Sequence, residues 1–514
     1  MPLSRRHFLA AAGLAAAGLA ALAPRAAWTA PATPFTLGIA SGYPHPHGFT
    51  LWTRLAPDPL AGGGLSGLDV AVRWEIADDD AFRRIVARGE AIATAGWAHS
   101  IHIDVEGLAP DRWYWYRFTA LGERSPVGRT RTAPAAGQSD VRLALAFASC
   151  QQYEQGYYAA YRHMAREPLD LVVHLGDYIY ESSWGRNHVR SHGTPEPVTL
   201  EDYRNRHALY KTDADLQAAH AAAPWLVTWD DHEVQNDYAD DRSQMLDEPA
   251  AFLARRAAAY QAYYEHMPLP AWARPRGAAM RLHTRVAFGD LALFHVLDAR
   301  QYRSHQVCTR PGRGGSNTPP AAECPERLDE ALSMLGREQE GWLYEGLATS
   351  RARWNVVAQQ TLMAQADRST GAGQAFWTDG WDGYPRNRER LLTRFTDPRV
   401  ANPVVISGDV HMAAVADLRV DFDRVDTPVV ATEFCGTSIT SHGPNRKAAD
   451  SLLGRNPHLK HADGTQRGYT RLDLTRERCL ATYRVIDNVR DRASGIRDAV
   501  RYVVEDGRPG AIKA

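Results

Sequence analysis

Four apolar runs of this sequence end in side chains able to bind metal ions. VRLALAFASC closes on Cys150, and LDLVVHLGD closes on Asp177 with Tyr180 just beyond. PWLVTWDDHE carries Asp230, Asp231, His232 and Glu233, with Asn236 three residues on, and NPVVISGDVH ends in Asp409 and His411. Thiolate, carboxylate, amide oxygen, phenolate and imidazole are all competent ligands, and hard oxygen donors dominate here. Asp409 and His411, at i and i+2, share one face of an extended segment or reach adjacent metals from a turn. Two metals held about 3.5–4 Å apart would activate a water and stabilise an in-line displacement at phosphorus.

Each motif alone has a plainer explanation. Gly-Asp after a strand is commonly a turn. Asp-Asp-His-Glu suits a helix N-cap whose acidic residues face the dipole, and a single cysteine is commonly a small buried hydrophobe. The conjunction points elsewhere, because unrelated turns would rarely finish four runs of one domain in ligand-type residues.

Those residues need a scaffold. From Val141 onward, runs of buried-strand length, including DLALFHVLDAR and RWNVVAQQ, are separated by helix-like stretches such as YYAAYRHMAREP. This predicts an α/β domain whose site lies beyond the strand C-termini. The polar segments 182–223 and 303–330 read as loops around that end. Earlier in the chain, VAVRWEIA, SIHIDVEGL and WYWYRFTAL alternate with a period of two, and helical periodicity is confined to Asp80–Arg88. Leu108-Ala-Pro110-x-x-x-Tyr114 resembles a tyrosine corner. Residues 33–137 therefore predict a small fibronectin-III-like β-sandwich, and TAPAAGQSD predicts the linker into a catalytic domain spanning 138–514.

The chain of 514 residues has room for two or three domains, and its formal net charge of −1 gives no global attraction to nucleic acid or anionic lipid. No nucleic-acid-binding module is expected. SRRHFLA followed by an Ala-rich apolar stretch, over residues 1–32, matches a twin-arginine export signal. The stretch is too short and too Ala/Gly-rich for a comfortable membrane span. It predicts delivery by the twin-arginine machinery to the periplasm or the medium, and Ala30-Pro-Ala32 offers a small-x-small cleavage site. Of five cysteines, Cys308 and Cys324 flank a loop-like stretch and are the natural disulfide pair.

Taken in order, FASCQ, HLGDYIYE, TWDDHEVQND, LDARQYR, AQQTLMA and SGDVHM resemble the motifs of PhoD-type alkaline phosphatases. These are secreted relatives of the calcineurin-like and purple acid metallophosphatases, and the resemblance runs through essentially the whole chain. It implies a four-layer αββα metallophosphatase sandwich, Fe3+ beside Ca2+, and phosphate esters, small or polymeric, as substrates. A metal-bound hydroxide would attack and release phosphate. Carried over by position, Cys150, Asp177 and Tyr180 face the iron, Asp177 bridges to the next metal, and His411 completes the iron side. Asn236 and Asp409 serve the calcium side. Asp231 stands where related phosphatases place an Asn ligand, so it competes with Asn236 for that place. Asp231 and His232 are the catalytic candidates, His232 as stabiliser of the leaving group or of a phosphate oxygen. Arg300 and Arg303 read either as a phosphate clamp or, for Arg300, as an internal ion pair with Asp298. One departure is SGYPHPHG, with Tyr43, His45 and His47, where family members commonly carry an acidic residue. Two rival functions remain: a phosphodiesterase of phospholipase D-like or teichoic-acid-cleaving specificity, and a secreted binding protein on an inactive metallophosphatase scaffold. Loss of ligands would mark the second, and the ligand set is intact.

Overall fold

Leu143–Ala148, Leu171–His174 and Trp225–Val227 are short strands buried along their whole length, and they pair in parallel. The computed structural model describes residues 33–65, 67–138, 142–424 and 426–514, so the expected export signal lies outside the described residues. Around the parallel strands a ten-stranded sheet is built, extended on one side by Gly468–Leu474, Arg478–Ile486, Ile496–Glu505 and Arg508–Lys513. A second sheet has seven strands, with Ala292–Val296, Trp354–Thr361, Pro403–Gly408 and Val429–Cys435 running parallel as neighbours.

The two sheets pack face to face, and the period-two rule decides which residues go between them. Val356, Ala358, Val404 and Ile406 join the core shared with Phe147, Val173 and Leu472 of the large sheet. Their neighbours Val357 and Val405 point outward and pack against Leu343 and Leu347 of the helix Arg337–Thr349 and Leu391 of Pro385–Arg394. Helices Ala159–Met164, Leu200–Lys211, Ala214–Ala222 and Pro249–His266 add Tyr161, Tyr203, Leu216 and Tyr260 to the core of the large sheet. The result is the expected α-β-β-α layering.

The N-terminal strands form two sheets around Phe49, Val72, Ile76, Ile101, Tyr116 and Phe118. One of them, Ile39–His45, Gly48–Arg54 and Ser100–Val105, is also the far edge of the ten-stranded sheet, joined where Gly42 pairs with Trp225. The small sandwich thus shares a sheet with the larger domain, and residues 34–514 form one compact unit. The tyrosine corner is present, with Tyr114 Oη 3.1 Å from the Ala109 nitrogen.

Two expectations are corrected. Asp80–Arg88 is not helical: the Asp79 carboxylate captures the N–H groups of Ala81, Arg83 and Arg84 in a turn, and Ile85–Ala93 follows as a strand. Segment 182–223 is not a loop throughout, because it contains the helices Leu200–Lys211 and Ala214–Ala222. The first carries a Thr199–Asp202 capping box but buries Arg206, His207 and Lys211 beside Tyr203, Ala208 and Tyr210, so its inward face is mixed and no purely apolar stripe marks it.

Candidate metal centre

Cys150 lies two residues past the end of Leu143–Ala148, and Asp177 three past Leu171–His174. Asp230 and Asp231 follow Trp225–Val227, and Asp409 follows Pro403–Gly408 directly. Both sheets therefore deliver donors from their C-terminal edges. Cys150, Asp177, Asp409 and His411 all have left-handed backbone, with φ of 59°, 56°, 62° and 53°. This conformation costs a side-chain-bearing residue about 1–2 kcal/mol. Its repetition at four donors from two sheets marks the strain as a property of the site. Each hook turns the chain back over its strand end. Space is short there: a Cβ at Gly176 would sit 2.5 Å from Asp230 Cβ, and one at Gly408 would sit 2.2 Å from Ser149 Oγ.

The hooks bring donors together. Tyr180 Oη lies 2.8 Å from Asp177 Oδ2 and 3.2 Å from His411 Nε2. His411 Nε2 is 3.9 Å from Asp177 Oδ2, and the donor atoms of Cys150, Asp177 and His411 all fall within 4.8 Å of one another. Such separations suit neighbouring ligands on one ion with bonds of about 2.0–2.3 Å. Asp177 belongs to a second group of the same size, with Asp231 and His232. His411 Nδ1 lies 2.8 Å from the His442 carbonyl, so Nδ1 carries the proton and Nε2 is left as a lone-pair donor. Tyr178 turns away, its hydroxyl 2.8 Å from His220 Nε2 inside the core.

The donor set fits a cation and is badly served without one. Asp177 Oδ1 and Asp409 Oδ2 are buried with no hydrogen-bond partner. Burial pushes the Cys150 thiol well up, and Asp177 adds to it. Burial likewise pushes the Tyr180 phenol and the Asp177 and Asp409 carboxyls up, with neighbouring acidic groups contributing. Burial drives the His411 imidazole down to about 3, into its metal-binding neutral form. Thiolate and phenolate beside carboxylates would repel one another, and a highly charged ion reverses that balance.

His232 lies on the same floor. Its Nδ1 is 2.6 Å from Glu181 Oε2, and its ring centroid is 4.1 Å from that of Tyr180. Burial alone would lower its pKa, but Glu181, Asp231 and Asp177 outweigh burial and raise it well above the ordinary value. Asp231 shows the opposite balance: burial opposes ionisation, yet Arg300 and His232 hold the carboxyl below its usual range. Asp231 Oδ2 also accepts the Asp237 N–H at 2.7 Å. Asn236 lines the cavity, and its backbone N–H donates to Glu181 Oε1 at 3.0 Å.

Neither reading of Arg300 survives. Its guanidinium is buried behind the donors, with Nε 2.5 Å from Asp230 Oδ1 and Nη2 2.9 Å from Asp379 Oδ2. Arg303 is buried too, with Nη1 3.3 Å from Asp379 Oδ1. Neither lines the cavity, so neither clamps a phosphate. Asp298 takes the Trp229 indole N–H and the backbone N–H groups of Arg300 and Gln301, each at 3.0 Å, rather than the guanidinium. The buried carboxylates of the Asp-Asp pair needed a counter-charge, and LDARQYR supplies it from behind.

Glu233, read from sequence among the ligand-type residues, instead ties the donor turns together, while Arg206 and Ser441 were not singled out from sequence. Glu233 accepts N–H bonds from Asp177 at 3.2 Å, Tyr178 at 2.6 Å and Asp230 at 2.8 Å, tying two ligand-bearing turns together. Arg206 Nη1 holds the Tyr180 and Glu181 carbonyls at 2.5 and 2.7 Å. Ser441 Oγ lies 2.8 Å from both Tyr180 Oη and the Cys150 carbonyl. Ser441 and His442 follow the apolar run TPVVATEFCG, which ends at the same sheet edge but in small residues, so the ligand-type signal was absent. The Cys308–Cys324 disulfide is formed, with Cα atoms 5.9 Å apart. Among the described residues His45 and His47 gather no third ligand, and His45 Nε2 is 3.4 Å from Glu106.

Above the donors opens a cavity of about 1020 Å³, whose floor includes Asp177, Asp231, His232, Asp409 and His411. The PhoD-like phosphatase family matches residues 145–483, and the N-terminal domain of PhoD-like phosphatases matches residues 21–134. The alkaline phosphatase D of Bacillus subtilis (strain 168) is 46% identical over 492 residues, covering 93% of this chain and 82% of that protein. A solved structure described as that of PhoD superposes with a TM-score of 0.89 at 46% identity, covering 94% of this chain and 92% of the other.

Proposed function

The chain belongs to the PhoD-like phosphatase family and is a phosphoric ester hydrolase, and on that premise we propose that it is an exported, metal-dependent alkaline phosphatase. The observation that carries the metal dependence is the meeting of Cys150, Asp177, Tyr180 and His411 donors around carboxylate oxygens that have no other partner. Thiolate and phenolate beside imidazole and carboxylate suit Fe3+, while Asp409, Asn236 and Asp231 offer oxygen to Ca2+. When bound, these ions supply Lewis acidity that makes a water acidic and neutralises charge on the phosphoryl oxygens.

The chain's own residues do the rest. Asp177 holds the two halves of the site in register, and the buried floor excludes bulk water. His232, fixed through Nδ1 by Glu181, is the group to protonate the leaving-group oxygen or to hold a phosphoryl oxygen. The P–O bond to the leaving group breaks as a water oxygen bonds to phosphorus, and no covalent phosphoenzyme is involved. Export is supported by the paired arginines at the N-terminus and by the Cys308–Cys324 disulfide, which suits an oxidising compartment. Among the described residues no helix is long and apolar enough to cross a membrane.

The volume of the cavity favours one second reading, a phosphodiesterase acting on larger esters. Rates on 4-nitrophenyl phosphate and bis(4-nitrophenyl) phosphate separate the two. Faster release from the monoester supports the phosphatase, a strong diester preference replaces it with the diesterase, and no release from either overturns both. The binding-protein reading requires a broken donor set, and the set is complete.

A further inference from the structure

The cavity is much larger than a phosphoryl group needs, at about 1020 Å³, when whole small-molecule ligands fit pockets from about 300 Å³ upward. Its lining is largely acidic, with Asp177, Asp231 and Asp409 on the floor and Glu181, Glu196, Asp237 and Asp367 elsewhere, but it also carries Arg313, Arg368 and Lys447. Among the described residues none of these three cations is paired with a carboxylate. Arg313 is nonetheless held in place, its Nη2 2.6 Å from Gln244 Oε1.

Arg368 is the best organised of the three. Its backbone N–H donates to Ala375 O at 2.9 Å. The preceding Asp367 accepts the N–H groups of Ser369 and Ala375 at 2.9 and 3.0 Å and pairs with Arg455 at 3.2 Å. The turn is therefore pinned on both sides of the arginine. The guanidinium lies 5.0 Å from the centroid of Trp377, which lines the same cavity. A guanidinium over an aromatic ring is attracted to its face and still has N–H donors to offer a ligand. The acidic groups whose charge reaches it are Asp382 and Asp409. Asp382 is already paired with Arg388 at 2.6 Å, and Asp409 belongs to the metal centre. An uncommitted guanidinium, carried on a pinned turn and lying over an indole ring, matches the geometry of a carboxylate or phosphate.

We propose that Arg368, backed by Trp377, determines specificity by holding a second anionic group on the leaving-group side of the substrate. The preferred substrates are then phosphate esters that carry another phosphate or a carboxylate. This rests on the phosphoesterase reading above.

The test uses the full-length, metal-replete protein with alkanediol bisphosphates, ω-carboxyalkyl phosphates and matched alkyl monophosphates of increasing chain length. At one chain length the kcat/KM ratio of doubly anionic to matched ester should reach about tenfold, typical of a charge-assisted contact. Arg368→Ala should bring that ratio near one, and Arg368→Lys should keep part of it. Whichever series shows the ratio identifies the anion as phosphate or carboxylate. A ratio near one at every length in the native protein overturns the proposal. So does a ratio unchanged in Arg368→Ala, which includes an equal loss on both esters from clamping the reacting phosphate. If no ester is hydrolysed, the phosphoesterase reading fails separately. Calorimetric Kd values for the matching bisphosphonates and monophosphonates then decide: a preference lost in Arg368→Ala supports the subsite, and equal affinities overturn it.

Discussion

The Glu233 carboxylate accepts the backbone N–H of Tyr178 at 2.6 Å, joining the turn after Leu171–His174 to the turn after Trp225–Val227. The same carboxylate takes the N–H groups of Asp177 and Asp230. A glutamine has one acceptor oxygen and an NH2 that would face a backbone donor. Glu233→Gln should therefore weaken metal binding by about 10–100-fold and lower kcat/KM in parallel, with little change in secondary structure. Metal titration of the native and variant proteins checks this, and equal affinities would remove Glu233 from the positioning network.

Arg300 stands among Asp230, Asp231 and Asp379, all of them buried. Arg300→Met would leave Asp230 without its cation and take one from Asp231 and Asp379, which keep His232 and Arg303, and should destabilise the fold by about 3–5 kcal/mol. Arg300→Lys keeps the charge but loses the fork and should fall between. Urea unfolding of the three proteins reads the order, and a Met variant as stable as the native chain contradicts the counter-charge role.

The Cys308–Cys324 bridge joins cysteines 16 positions apart in sequence, beside the site. Replacing both cysteines with serine should cost up to about 3 kcal/mol by chain-entropy reasoning and leave the metal donors in place. Unfolding with and without reductant tests it: the native chain should weaken on reduction and the double variant should not.

Acid should destabilise the protein through buried imidazoles that lie away from the donors. Burial holds His207 well below its ordinary value of 6.5, with Lys211, Arg54 and Arg206 adding to the effect, and burial takes His174 to about 3. His220 and His266 shift the same way. At these four histidines the unfolded chain therefore binds more protons than the folded one below about pH 6.5. Their contribution to stability is complete above that pH and is lost as pH falls toward the folded values. His207→Phe, which keeps a ring beside His266, should lose less stability between pH 7.5 and 5.0 (order-of-magnitude window from the ordinary His value) than the native chain. Parallel pH dependences would exclude His207 as a contributor.

What the sequence made legible was set by how local the signal was. Cys150, Asp177, Asp409 and His411 could be found because each follows an apolar run that could only be a buried strand. The α-β-β-α layering followed from the same runs. Arg300 was misjudged because its partners lie 70 and 79 residues away and nothing local reveals them. The helix Leu200–Lys211 escaped because it buries Arg206, His207 and Lys211 where an apolar stripe was sought. The sharing of one sheet by both domains was equally hidden, since it turns on a single parallel contact between Gly42 and Trp225.

Asp177 lies in both donor groups, so the central claim turns on it. The most direct measurement is metal content and phosphate release for the native protein and Asp177→Asn, purified side by side. The native protein should contain iron and calcium and hydrolyse 4-nitrophenyl phosphate, while Asp177→Asn should keep its fold, lose metal and lose at least about 1000-fold in kcat/KM, a loss typical of removing a principal catalytic electrostatic group. An Asp177→Asn protein that hydrolyses the ester at the native rate, or a native protein fully active without metal, would contradict the account.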